Sequence, residues 1–64
     1  MPGEFVVGQR VRRVREYRTA SLVLPEGTKG RVVSVGRFDY ALGVQIDEEE
    51  RRMVHHRGWE IIDG

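Results

Sequence analysis

The 64-residue chain contains no cysteine. That excludes a disulfide framework and a thiolate-held metal. Secreted domains of this size usually carry such staples, so a cytoplasmic setting is expected. No apolar run approaches the roughly 18 residues of a membrane span, and no membrane partner is expected. Met1-Pro2-Gly3-Glu4 lacks the basic and apolar regions of a signal peptide. Length sets a further limit. One domain over residues 1–64 is expected, with residues 1–5 and 63–64 as loose termini. A domain this short buries only about 60% of the surface its unfolded chain exposes, so its core is thin.

Charge is present in quantity and unevenly spread. The net charge is +1. Residues 1–37 hold eight Lys/Arg and three acids, or +5, and residues 38–64 hold three Arg and seven acids, or −4. Two readings follow. Neighbouring strands can neutralise each other pairwise, or the basic part can steer an anionic partner.

The densest turn signal is Leu24-Pro25-Glu26-Gly27-Thr28-Lys29-Gly30-Arg31-Val32-Val33-Ser34-Val35. Gly accepts φ > 0 at low steric cost and Pro presets a turn. Gly27 and Gly30 are therefore expected to bend the chain and launch a strand over residues 30–35. A first strand is expected over Gly8–Val14. Its alternation fails because Val11 and Val14 are three apart, which requires a bulge or a corner. Residues 15–27 read as a long loop with a short extended piece at Ser21–Leu24. Gly36-Arg37-Phe38-Asp39 reads as a turn. Tyr40, Leu42, Val44 and Ile46 alternate with Ala41, Gly43 and Gln45, the pattern of a half-buried third strand. Asp47–Glu50 reads as a charged hairpin tip, Arg51–His56 as a fourth strand, and Glu60–Ile62 as a fifth. The fold expected is all-β and five-stranded, with a long loop between strands 1 and 2.

The order of these signals resembles an SH3-like barrel. Gly8-Gln9-Arg10-Val11 looks like its opening, and Gly27-Thr28-Lys29-Gly30-Arg31-Val32-Val33 is similar to the KOW-type segment of ribosomal and transcription-elongation proteins. Glycines and valines at turn and core positions specify a barrel, and many functions use that fold. Val44-Gln45-Ile46-Asp47 resembles part of the Val-Gln-Ile-Tyr run of type II dihydrofolate reductases, themselves SH3-like barrels. The tyrosine is missing and a further strand follows, so no catalytic residue is carried across. An oligomeric reductase is the most distant reading.

The leading site is the arginine cluster Arg10, Arg12, Arg13, Arg15 and Arg18 with Tyr17 inside it, joined by Phe38 from the turn. Guanidinium groups interleaved with aromatics suit docking on an acidic protein surface. They equally suit phosphate contact with base stacking, where Lys29 and Arg31 would add to the track. The competing reading is a solvated strand whose arginines pair with Glu48–Glu50. Trp59 is expected in the core or at its edge. His55 and His56, as neighbours on a strand, would point to opposite faces and cannot share a metal. No Ser, His and acid residues stand at catalytic spacing, and no phosphate-cradling motif occurs, so no catalytic residue, cofactor or metal is expected. The expectation is a non-enzymatic module that binds a larger protein or assembly, with nucleic acid as the alternative partner. Open strand edges are compatible with a homodimer.

Overall fold

A computed structural model of the chain describes residues 5–36 and 42–62. Strands β1 (Arg10–Arg13), β2 (Tyr17–Arg18), β3 (Val23–Leu24), β4 (Lys29–Val35), β5 (Leu42–Ile46), β6 (Arg51–Val54) and β7 (Trp59–Ile62) form two antiparallel sheets. The larger sheet has the order β6-β5-β4-β1-β7, and β2 pairs with β3 in the smaller. The chain is thus all-β with a five-stranded sheet. Phe38 and Tyr40, with most of the expected turn at 36–39, lie outside the described residues.

Period-2 alternation decides which side chains meet. Val11, Val32, Leu42, Val44, Ile46, Val54 and Trp59 project from the five-stranded sheet into one cluster, joined by Leu24 from β3. Each such side chain contributes about 1.5–3 kcal/mol when fully buried. Phe5, Tyr17 and Leu22 pack against this core. Trp59 is 7% exposed, so the core reading of that residue holds.

Local chemistry explains where the strands begin and end. Gly27 has φ +90°, and the Thr28 N–H donates to the Pro25 carbonyl at 3.1 Å. This is the turn that the Pro-Glu-Gly order predicts. Gly30 is different. It lies within β4, opposite Val11 on one side and Ile46 on the other. A Cβ there would sit 2.6 Å from Val44 Cγ1 and 2.7 Å from the Gln45 carbonyl oxygen. Gly30 is present because two strands and a core valine close over it, and it is not part of the hinge. The first strand ends at Arg13 and the chain bends at Val14 and Arg15, which is the corner the valine spacing required. A register shift falls instead in β4, between Val32 and Ser34.

Two segments depart from the sequence reading. The long loop carries its own hairpin, in which Tyr17 pairs with Leu24 and Arg18 with Val23. Its closure is local, with the Thr19 N–H donating to the Leu22 carbonyl at 2.8 Å. The fourth strand stops at Val54, before the histidines. His55 and His56 therefore do not alternate across a sheet. Their rings stack 4.9 Å apart at 19°, and His55 Nδ1 accepts the Arg57 N–H at 3.1 Å.

Candidate functional site

Strand register sorts the cations onto different faces. Val11 and Arg13 point inward from β1, so Arg10 and Arg12 point outward. Arg10 is paired with Arg31, and Arg12 with Lys29, on the neighbouring β4. Arg31 is paired in turn with Gln45 of β5, and Gln45 with Arg51 of β6. One transverse row thus reads Ile62, Arg10, Arg31, Gln45, Arg51. The next begins Glu60, Arg12, Lys29 and is continued by Asp47, whose N–H donates to the Lys29 carbonyl at 3.1 Å. Among the described residues, these two rows hold five cations and two carboxylates, a balance of +3. Beyond Gln45 the same face holds Gly43 and, beside it on β6, Met53, which is 56% exposed.

The two carboxylates are placed as partners for the cations around them. Asp47 accepts both nitrogens of the Arg10 fork, at 2.8 and 2.9 Å. This hydrogen bonding holds the Asp47 carboxyl below the usual carboxylate range, with help from the charges of Arg10, Lys29 and Arg31. The same hydrogen bond raises the Arg10 guanidinium above its ordinary value. Glu60 accepts from Arg12 directly across the β1–β7 pair. Both pairs join the basic part of the sequence to the acidic part, so neutralisation across strands is real but incomplete. Arg31 spends one nitrogen on the Gly8 carbonyl, at 2.6 Å. Lys29 and Arg51 make no ion pair among the described residues. Among the described residues no ion pair runs from the arginines to Glu48–Glu50.

Arg13 departs from the expected cluster. It is 3% exposed and enclosed by the protein. Its guanidinium lies 5.1 Å from the Tyr17 ring centre and 5.0 Å from that of Trp59. Its Nε donates to the Arg15 carbonyl at 3.0 Å and one terminal nitrogen to the Arg57 carbonyl at 2.8 Å. Burial pushes the guanidinium below its ordinary value, with the Arg15 charge adding to the effect, yet an arginine keeps its proton in a protein. A buried cation is tolerated here because carbonyl oxygens and two aromatic faces surround it. The register made this inevitable. Arg13 faces the same way as Val11, and its partner on β7 is Trp59. Gly58 completes the enclosure. Its φ is +85°, and a Cβ there would lie 2.5–2.8 Å from three guanidinium atoms of Arg13.

Tyr17, Arg15 and Arg18 of the expected cluster are separated from the face. Tyr17 covers Arg13, Arg15 supplies it a carbonyl, and Arg18 sits on β2 paired with Glu16 at 2.9 Å. Phe38 lies outside the described residues. Of the cluster, Arg10 and Arg12 stand on the outer face, and Lys29 and Arg31 join them. Arg51 was missed. The signal for it was the hairpin of strands flanking Asp47–Glu50, which places Arg51 across from Gln45 on the outward side.

A shallow cleft of about 440 Å³ opens beside Arg12, lined by Arg12, Arg13, Val14, Glu26, Gly27 and Glu60. Among the described residues no group of three or more His, Asp or Glu side chains is placed to hold a metal ion, and no helix is long and apolar enough to cross a membrane. Compared with known proteins, the chain matches no family model, no curated protein and no solved structure.

Proposed function

We propose that the chain is a non-enzymatic binding module that docks on an acidic surface of a larger protein or assembly. One observation carries this reading: the register that gathers Arg10, Arg12, Lys29, Arg31 and Arg51 on one exposed face. Like charges directly opposite on paired strands are destabilising, and Arg10 with Arg31, and Arg12 with Lys29, are two such pairs. An anionic partner offsets that repulsion. Met53, 56% exposed, gives the face an apolar end, and Arg with Met is a composition typical of protein interfaces. We read the five-stranded sheet with its β2–β3 hairpin as an SH3-like barrel, supported by the strand order and by the single core that the inward residues share. The absence of cysteine supports a cytoplasmic setting.

Nucleic-acid binding through the same cations is the second reading, favoured by the adjacent Arg10, Arg12, Lys29 and Arg31. One feature favours protein. Tyr17 and Trp59 are engaged with Arg13, so neither offers a platform for base stacking on this face. The test is binding of a labelled oligoglutamate peptide and of single- and double-stranded oligonucleotides of matched charge, across a salt series. Tighter binding of the peptide is expected. Tighter binding of an oligonucleotide, with affinity falling steeply and linearly on a logarithmic salt axis, would overturn the protein reading.

A further inference from the structure

Asp47 occupies an unusual position on the outer face. Its carboxylate lies beside three cations: Arg10 grips it with both nitrogens, and the charges of Lys29 and Arg31 act on it. Its presentation is fixed by the hairpin tip. The Asp47 N–H is bonded to the Lys29 carbonyl, and the Glu49 N–H donates to the Ile46 carbonyl at 3.0 Å. Glu48 adopts φ +66°, and the Gln45 amide nitrogen donates to the Glu49 carbonyl. The tip is therefore braced, while the carboxylate itself stays at the surface. The Asp47 side chain is 48% exposed, against 20% for Arg10 beneath it. Exposed ion pairs of this kind are weak and exchangeable. A planar carboxylate taken side-on by a guanidinium fork is the geometry that the side chains of an acidic peptide would reproduce.

We propose that Asp47 is an internal competitor: the Arg10 fork, flanked by Lys29 and Arg31, is a carboxylate-binding site, and a Glu or Asp of the acidic partner displaces Asp47 from it. The inference rests on the docking role assigned to this face and names the chemistry of its central contact. Displacement keeps the number of ion pairs at Arg10 constant, so a single free carboxylate gains little. A segment with several carboxylates gains more, because its other groups meet Lys29, Arg12 and Arg51 at the same time. The competitor therefore biases the face against isolated anions and towards extended acidic segments.

The test uses the intact chain and an oligoglutamate peptide. Asp47→Asn removes the competing charge and keeps the side-chain shape. Glu60→Gln removes the same charge from the same face, beside Arg12. Asp47→Asn is expected to tighten peptide binding at low salt by about threefold or more, with a smaller gain for Glu60→Gln. In an Arg10→Gln background the gain from Asp47→Asn should disappear. Equal gains from the two variants would mean that net charge alone matters, which overturns the competitor while leaving the docking face intact. An unchanged or weakened Asp47→Asn overturns it as well. Failure of wild type and all variants to bind the peptide overturns the docking reading, and the competitor with it. A second measurement does not depend on a variant folding. The carboxyl carbon resonance of Asp47 in the wild-type chain should shift when peptide is added at neutral pH, because Arg10 has left it. A resonance that stays in place while peptide binds contradicts displacement.

Discussion

Replacing Arg13 by Lys tests whether a guanidinium fork, and not merely a buried cation, holds the β1–β7 corner. Lysine keeps the charge and most of the apolar stem, so the desolvation cost of a buried cation remains. The second donor direction is lost. Arg13 now bonds the Arg15 and Arg57 carbonyls from two different nitrogens, and an ammonium on a shorter reach satisfies one. Losing the charge-assisted bond to the other, part-buried carbonyl costs about 1.5–3 kcal/mol. The guanidinium plane also faces both Tyr17 and Trp59, and an ammonium sits over one ring, losing about 0.5–1 kcal/mol. The sum is roughly 2–4 kcal/mol. A 64-residue domain has a total of about 3–10 kcal/mol at 0.05–0.15 kcal/mol per residue. Arg13→Lys should therefore lower Tm by roughly 10–30 °C, and Arg13→Ala should leave little folded protein. Urea unfolding followed by Trp59 fluorescence measures this directly, because Trp59 is the single tryptophan and contacts Arg13. An Arg13→Lys variant within about 0.5 kcal/mol of wild type would refute the argument.

Gly30→Ala should destabilise by about 1–3 kcal/mol, since its methyl must displace Val44 and the Gln45 backbone; an unchanged urea midpoint would show that β4 and β5 separate at little cost. Gly58→Ala should be at least as severe, because the new methyl meets both a positive φ and the Arg13 guanidinium; thermal unfolding checks it, and a loss under about 0.5 kcal/mol would contradict the enclosure. The Arg10–Asp47 pair should make stability depend on acid pH. The folded Asp47 carboxyl lies below its unfolded value, so its contribution is complete above the ordinary carboxylate range and is lost as pH falls through the depressed folded value. Chemical denaturation at a series of acid pH values should therefore show a shallower decline in Asp47→Asn than in wild type, and identical profiles would count against the pair.

Alternation and turn chemistry made much of the fold legible. Leu42, Val44 and Ile46 showed their buried face directly, and Pro25-Glu26-Gly27 identified the turn before β4. The small hairpin at Tyr17–Leu24 was hidden because two-residue strands are too short to show a period. Gly30 was misread because a glycine needed for close approach and a glycine needed for a turn look alike in sequence. The site was half legible. The arginine run drew attention to β1, but cations at successive positions alternate between the inside and the outside of a sheet. Arg12 and Arg13 are neighbours in sequence and occupy opposite environments. The true neighbours of Arg12 and Arg10 are Lys29 and Arg31, with Arg51 two strands further along the same row, an arrangement that register supplies and linear proximity does not.

In the proposed docking role, the cations grouped by register, and not those grouped by sequence, form the binding face. Two double variants of equal charge separate these possibilities. Lys29→Gln with Arg31→Gln alters the face, and Arg15→Gln with Arg18→Gln alters the sequence cluster away from it; each takes the net charge from +1 to −1. Oligoglutamate affinity should fall by about tenfold or more for the first pair, equivalent to about 1.4 kcal/mol, and should change by less than about threefold for the second, whose groups act only through a screened field. Equal losses, or a larger loss from Arg15 and Arg18, would contradict the account.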